Sequence, residues 1–328
     1  MKHNSMRRAG VDVSAIGLGT WQLGADWGEV SEADARAVLD TAVEGGVTFF
    51  DTADVYGDGR SETLIGGYLA DNPGLDVVVA TKMGRREVQD PANFTLAKFR
   101  EWTDRSRRNL RVDTLDLVQL HCPPTAVFSI DQVFDDLDTL VADDTIARYG
   151  VSVEKTAEAL AAIARPNVVS VQLVLNAFRL KPLDVVLPAA RDAGVGIIAR
   201  VPLASGLLSG RYTAATTFAT NDHRTFNRHG EAFDVGETFS GVDFEQGVAA
   251  AQEFSALAAA HGLAPATAAL AWAAQLDGVS TVIPGARSVE QARANAAAGS
   301  VSALGTEFTD RVAALYDDYF RGAIHSRW

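Results

Sequence analysis

VVVATK, residues 77–82, is apolar on both of the faces a β-strand presents and then ends on a charged residue. A strand with one face in water alternates polar and apolar positions, whereas a parallel strand covered on both faces reads as a continuous apolar run. Seven further runs share that character, at residues 16–18, 48–51, 115–120, 147–152, 168–173, 196–201 and 279–284. Between them lie Ala/Leu-rich segments with helical spacing. The first is well marked: Ser31 can cap it, Asp34 follows three residues on, apolar positions fall at Ala35, Val38, Leu39, Ala42 and Val43, and Gly45-Gly46 stops it. Residues 182–193 and 264–275 also read as helices. Eight strands alternating with helices predict an α/β protein, a (β/α)8 TIM barrel; a count of six or seven would suit a doubly wound sheet equally well. The run at 16–18 is the weakest of the eight. Ahead of it, residues 6–8 and 11–13 flank Ala9-Gly10, which reads as a two-residue hairpin turn, and a hairpin there would close the bottom of the barrel.

Composition narrows the function classes. The chain has 328 residues, 47% hydrophobic and 22% charged, with 29 Lys+Arg against 42 Asp+Glu for a formal charge of −13. A net field of that sign disfavours nucleic acid and anionic membrane surfaces as partners. The single cysteine, Cys122, excludes a disulfide framework and any multi-cysteine metal site. MKHNSMRRAG at the start has basic residues without an apolar stretch behind them, so a cytoplasmic chain is expected. Nothing reads as a linker, and one domain over 1–328 is expected. The one long irregular stretch, 211–242, is rich in Thr, Asn, Asp, Arg, His and Gly, and is expected to be a lid over the C-terminal face.

Reactive groups in a parallel barrel stand at the C-terminal ends of its strands. Here the second predicted strand ends in Asp51, the third in Lys82, the fourth is followed by His121, the fifth ends in Ser152, and the sixth carries Gln172. Taken singly these have ordinary readings: a solvated lysine, a structural histidine, an aspartate capping the next helix, and a packing role for Tyr56 in the loop beyond it. Taken together at one mouth they form a site. A buried ammonium tolerates its position only beside a carboxylate, and a phenol beside an ammonium has its phenolate favoured. Tyr56 is then a proton donor, Lys82 its electrostatic tuner, Asp51 the partner of Lys82, and His121 an orienting group.

Further signals are weaker. GLGTWQ at 17–22 begins like a dinucleotide fingerprint, but Gln22 stands where the third glycine belongs. The six histidines show no zinc-binding spacing; His223 and His229 read as surface residues, and no metal is assigned. Cys122 reads as a small buried hydrophobe. No GxSxG occurs, so Ser205 is no nucleophile elbow. Trp21 and Trp27 follow the first strand and read either as a pocket wall or as plain packing.

FFDTADVYGDGRSETLIG at 49–66, ATK at 80–82, LVQLH at 117–121, GVS at 150–152, PLASGLLSGRY at 202–212 and IPGARSVEQARAN at 283–295 together resemble an aldo-keto reductase, in order and spacing. The resemblance runs from Gly17 to Asn295, and is nearest to the bacterial branch of general-stress reductases and inositol-dehydrogenase-like members. It implies a catalytic tetrad at Asp51, Tyr56, Lys82 and His121, metal-independent carbonyl reduction and NADPH as cofactor, NADH being the other possibility. It further implies that Ser152 and Gln172 hold the nicotinamide carboxamide. Leu203, Ser205, Gly206, Leu207 and Ser209 would strap the pyrophosphate with Arg211 beside them, and Gly285, Arg287, Gln291 and Asn295 would hold the adenosine end. Arg287 is the group expected at a 2′-phosphate, since a guanidinium meets phosphate oxygens bidentately.

Two positions depart from the family pattern. Val153 stands where many members have Asn against the carboxamide. Arg200 stands where many stack a tyrosine on the nicotinamide; its guanidinium either stacks there, raising the reduction potential, or turns to a phosphate or an anionic substrate. The leading expectation is reversible NAD(P)H-dependent reduction of aldehydes or ketones by a monomer acting on a small molecule. Alternatives are a sugar or polyol dehydrogenase, a slow-turnover NADPH-binding sensor or accessory subunit, and, from the residues alone, a Schiff-base aldolase using Lys82.

Overall fold

Each apolar run becomes a strand because its backbone can pair on both edges while its side chains are covered on both faces. A computed structural model of the protein describes residues 1–24, 30–220 and 222–328. The hairpin strands are β1 (His3–Met6) and β2 (Val11–Ser14). The barrel strands are β3 (Leu18–Gly19), β4 (Phe49–Asp51), β5 (Val78–Met83), β6 (Leu117–His121), β7 (Tyr149–Ser152), β8 (Val168–Val174), β9 (Gly196–Arg200) and β10 (Val279–Val282). All eight pair in parallel in chain order from β3 to β10. Parallel bridges Ile16↔Val282 and Gly19↔Gly285 then join the first strand to the last and close the barrel.

Helices lie between the strands: α1 (Glu32–Glu44), α2 (Arg60–Asp71), α3 (Leu96–Leu110), α4 (Asp131–Ala142), α5 (Thr156–Ile163) and α6 (Pro182–Ala193). After β9 come the single turn α7 (His223–Phe226), then α8 (Phe244–Ala260) and α9 (Pro265–Ala274); α10 (Val289–Ala298) and α11 (Gly305–Tyr316) follow β10. The Ser31 hydroxyl caps α1 by accepting from Asp34 N at 3.1 Å, as its sequence predicts. No single helix among the described residues is long and apolar enough to cross a membrane.

The first barrel strand has only two residues in regular pairing for a steric reason. A Cβ on Gly17 would stand 2.9 Å from the Phe49 carbonyl oxygen, and one on Gly19 would stand 2.9 Å from that of Ile283. The chain passes between two backbones that leave no room for side chains. That is why so little apolar signal marks it.

The barrel interior is layered. Met6 and Val13 of the hairpin pack with Phe49, Ala80, Leu117, Val169, Ile198 and Ile283 in a cluster of their own, so the hairpin plugs the bottom. Two residues beyond Phe49, Ala80 and Leu117 on the same strands come Asp51, Lys82 and Gln119, which the strand alternation aims the same way. A polar layer thus rests on an apolar one. The hairpin itself departs from the expected turn: β1 ends at Met6, opposite Val11, and Arg7–Ala9 form a short 3-10 turn closed by Gly10 at φ +68. Arg8 explains the longer loop, since its guanidinium donates to the carbonyls of Arg165, Val168 and Ala193 at 2.7–3.0 Å.

Residues 211–242 are more ordered than their composition suggests. Besides α7, the segment has 3-10 turns at Val235–Glu237 and Phe239–Gly241. The fully buried Asn227 binds it internally, donating to Thr238 and accepting from Ala232 N and Phe233 N. His223, expected on the surface, is buried; its ring lies 5.6 Å from that of Trp21, and burial pulls its pKa down to about 4. His229 is exposed, as expected.

Candidate active site

At the C-terminal mouth, Lys82 is the hub. Its Nζ donates to Asp51 Oδ1 at 2.6 Å, to the Thr52 carbonyl at 2.8 Å and to Tyr56 Oη at 3.1 Å. Only 1% of Lys82 is exposed. Burial works against the ammonium, yet Asp51 and then Tyr56 outweigh it and hold the pKa above its ordinary value. A lysine locked in the charged form is a poor amine nucleophile, which argues against the Schiff-base reading.

Asp51 is saturated. Its Oδ2 accepts from Gln172 Nε2 at 2.7 Å and Gln119 Nε2 at 3.3 Å. Behind it, Thr20 donates to the Asp51 carbonyl at 2.9 Å, and Ser61 joins Thr20 to Thr52. Gln119 escaped the sequence reading, although it lies two residues before His121 and so shares its inward face.

Tyr56 stands between three rings or charges. The Lys82 ammonium lies 4.8 Å from its ring centroid, His121 packs edge-on at 6.1 Å, and Trp21 stacks at 6.0 Å. The expected fall in its pKa is not the outcome: burial pushes the phenol up, and Lys82 only partly offsets this. His121 is held neutral, its pKa driven well below 6.5 by burial and then by Arg85, Lys82 and Arg200. Its Nδ1 is buried with no hydrogen-bond partner among the described residues.

Arg200 is held by protein groups at the mouth. It forms an ion pair with Glu237 of the 211–242 segment and donates from Nη2 to the Val153 carbonyl at 3.1 Å. Burial opposes the charge, but Glu237 together with Cys122, Glu154 and Tyr56 outweighs it and keeps the guanidinium firmly charged. The two family departures therefore touch each other, and the Arg200 charge is balanced locally. Ser152 is buried at the end of β7, with Cys122 Sγ 3.5 Å from its hydroxyl. Cys122 is half-buried at φ +47, and burial raises its thiol pKa. Arg85 borders the same mouth, bonded to the His121 carbonyl at 3.2 Å and to Glu154 at 3.0 Å. Glu237, Glu154 and Arg85 carry no sequence signal of their own.

The predicted strap forms a tight loop after β9. Leu203 leads into the 3-10 turn Ala204–Ser209, within which Ser205 and Gly206 have φ of +54 and +98. A Cβ on Gly206 would run into the Tyr212 ring. Ser205 Oγ donates to the Glu237 carbonyl and accepts from Phe239 N, each at 3.0 Å. Leu207 is buried, Ser209 closes onto the Gly206 carbonyl at 2.6 Å, and Arg211 is exposed. The predicted adenosine segment gathers at the start of α10: Asn295 donates to the Gly285 carbonyl at 3.1 Å, and Gln291 accepts from Arg287 N at 3.0 Å. The Arg287 side chain is exposed; burial raises the Tyr212 pKa, and Arg224 and, more weakly, Arg287 offset part of that rise. Trp21 lies at the mouth, stacked on Tyr56; Trp27 lies outside the described residues.

Residues 15–317 match the Aldo/keto reductase family. A relative from Mycobacterium tuberculosis named only as an oxidoreductase is 34% identical over 297 residues, covering 88% of this chain and 85% of the relative. The aldo-keto reductase YhdN of Bacillus subtilis is 30% identical, covering 68% of this chain and 69% of that one. Among solved structures, the glycerol dehydrogenase AKR11B4 of Gluconobacter oxydans superimposes with a TM-score of 0.78 at 28% identity, covering 94% and 93% of the two chains. An aldo-keto reductase of Klebsiella pneumoniae in complex with NADPH gives 0.71 at 25% identity, covering 96% of each.

Proposed function

The chain belongs to the aldo/keto reductase family, and on that premise we propose that it is a metal-independent, NADPH-dependent reductase of small aldehydes or ketones. The observation that carries the reading is the Lys82-bridged contact from Asp51 to Tyr56, with a neutral His121 beside it.

The residues present suit the cofactor. Ser205 and Gly206 make a strap whose backbone leaves no room for a side chain at Gly206. The 285–295 segment runs into the N-terminus of α10, where backbone N–H groups favour a phosphate, and Arg287 is exposed there. Ser152 and the carbonyl oxygen of Gln172 would hold the carboxamide, since the Gln172 amide nitrogen is committed to Asp51. When bound, the nicotinamide supplies the hydride.

Tyr56 does the acid chemistry. Its raised pKa keeps the proton on Oη at neutral pH, ready for the carbonyl oxygen. As that proton leaves, the phenolate forms 3.1 Å from an ammonium pinned by Asp51, where charge is stabilised without reorganisation. Neutral His121 donates to the same oxygen and orients it. Trp21 and the 211–242 segment, as a lid, would exclude water. The reverse reaction uses the same groups as acceptors, and the likeness to a glycerol dehydrogenase makes polyols the second substrate class to assay. We place the enzyme in the cytoplasm as a monomer.

The test is titration of tryptophan fluorescence with NADPH and then NADH. Tight NADPH binding with much weaker NADH supports the reading, and Arg287→Ala should then weaken NADPH by about 1–3 kcal/mol while sparing NADH. Preference for NADH moves the assignment to the polyol dehydrogenase. A folded protein that binds neither would sink the reductase.

A further inference from the structure

Three consecutive residues of the loop after β9, Ala204, Ser205 and Gly206, have φ of +48, +54 and +98. Two of them carry side chains, for which the left-handed region is costly. Such conformations persist only where surrounding groups impose them, and they cluster at ligand clamps. Here the imposing groups all grip Ser205. Its Oγ donates to the Glu237 carbonyl and accepts from Phe239 N, each at 3.0 Å, and its carbonyl accepts from Tyr212 Oη at 3.2 Å.

Tyr212 stands on the packed side of the loop. Its ring meets Phe218 edge-on at 5.2 Å and Phe244 at 6.4 Å, and a Cβ on Gly206 would run into its hydroxyl. The Ser205 carbonyl thus turns inward to Tyr212. For an anion on the opposite face that orientation matters, because a carbonyl repels phosphate oxygens and backbone N–H groups attract them. Arg224, in α7 of the 211–242 segment, donates from Nη1 to the same phenol oxygen. A guanidinium can only donate, so the phenol accepts from Arg224 and its single proton is directed to Ser205. Arg224 is itself fixed. Nε donates to Asp222 Oδ1 at 2.8 Å, and the guanidinium lies 4.4 Å from the Phe218 ring centroid.

We propose that Tyr212 is a positioning residue for the pyrophosphate of the cofactor. The relay from Arg224 through Tyr212 to the Ser205 carbonyl sets the strap, and it links the seating of the 211–242 segment to pyrophosphate binding. Tyr212 acts through Ser205 and not by touching the cofactor. This inference rests on the dinucleotide-binding reading above.

The test is equilibrium binding of NADPH, NADH and 2′-AMP to the full chain and to Tyr212→Phe, which keeps the ring and loses only the hydroxyl. The third ligand carries adenosine and a 2′-phosphate but no pyrophosphate. Tyr212→Phe should weaken both dinucleotides by the same factor, about three- to tenfold for one lost hydrogen bond, and leave 2′-AMP unchanged. Arg224→Met should repeat that pattern. Equal weakening of all three ligands would mark general structural support, and weakening of NADPH alone would move Tyr212 to the 2′-phosphate; either overturns the proposal. A parent chain that binds both dinucleotides, with Tyr212→Phe binding them equally well, refutes the relay and leaves the reductase reading standing. A parent that binds neither overturns that reading and the relay with it.

Discussion

Tyr56 meets two opposed influences, and their balance sets what its neighbours do. Burial raises its pKa and Lys82 lowers it, with burial prevailing. Tyr56→Phe should therefore lose about 10²–10⁴ in reductase rate, the span expected for a lost general acid, with NADPH affinity unchanged; a large loss of affinity instead would make the residue structural. Lys82→Met removes the lowering influence, so any basic limb in the pH–rate profile should move to higher pH. A limb that stays in place refutes the tuning role. Asp54 supplies a second residue-scale prediction. It is fully buried, neither carboxylate oxygen has a partner among the described residues, and burial followed by Glu62 pushes its pKa up to about 7 from 3.8. The folded protein thus keeps a proton that the unfolded chain releases near pH 4. Stability from this group is complete below that pH and is lost as pH rises towards 7, by about 1.4 kcal/mol per unit. Asp54→Asn should gain on the parent across that window, by roughly 3–4 kcal/mol between pH 4 and 8 in urea denaturation. A difference constant with pH would show that Asp54 does not titrate there. At this scale the sequence is legible wherever a polar residue ends an apolar run, as at Asp51, Lys82 and His121. It is silent on Glu237, whose role exists only because folding brings it to Arg200 from 37 residues away.

Strand β3 shows where element-scale reading weakens. An apolar run announces a strand because side chains are buried, but β3 is squeezed between two backbones and its glycines have no side chains to announce it. Gly19→Ala would drive a methyl to 2.9 Å from the Ile283 carbonyl oxygen, where only backbone movement gives relief. A loss of about 1–3 kcal/mol is expected from such overpacking, concentrated in the β3–β10 seam. Hydrogen exchange should show it as faster exchange at Gly17 and Val282 amides, which bond across the seam to Val282 and Ala15 at 2.8 and 3.0 Å. Unchanged protection there would mean that the seam is not what closes the barrel. By contrast, the boundaries of α6 were legible to the residue, since Pro182 opens it and Gly194 closes it with φ +74. The hairpin was misread because its register follows from Met6 entering the barrel and from the carbonyls that Arg8 reaches, and neither is local information.

The whole molecule divides its work between two ends. The bottom is closed by the hairpin, whose Met6 and Val13 complete the apolar layer inside the barrel. The top carries the polar layer, and the 211–242 segment is fastened over it by Arg200–Glu237, by Asn176 to Ser240 at 2.6 Å and by Trp328 to Asp234. The length and composition of that segment suggest a lid, but its fastenings cannot be read from them, because they come from strand ends and from the far end of the chain. This division predicts opposite consequences for two truncations. Met6→Ala opens a cavity in the interior layer and should cost about 2–5 kcal/mol in global unfolding, with no change in kcat. Trp328→Ala removes a ring that packs against Gly236, Gly241 and Arg179, all near the mouth and far from the plug. Its cost should appear as local opening, with faster amide exchange over 234–241 and faster release of NADPH, and only a small movement of the global midpoint. If Trp328→Ala lowers the global midpoint as much as Met6→Ala while exchange at 234–241 stays slow, the segment is an integral part of the barrel, and the lid reading is wrong.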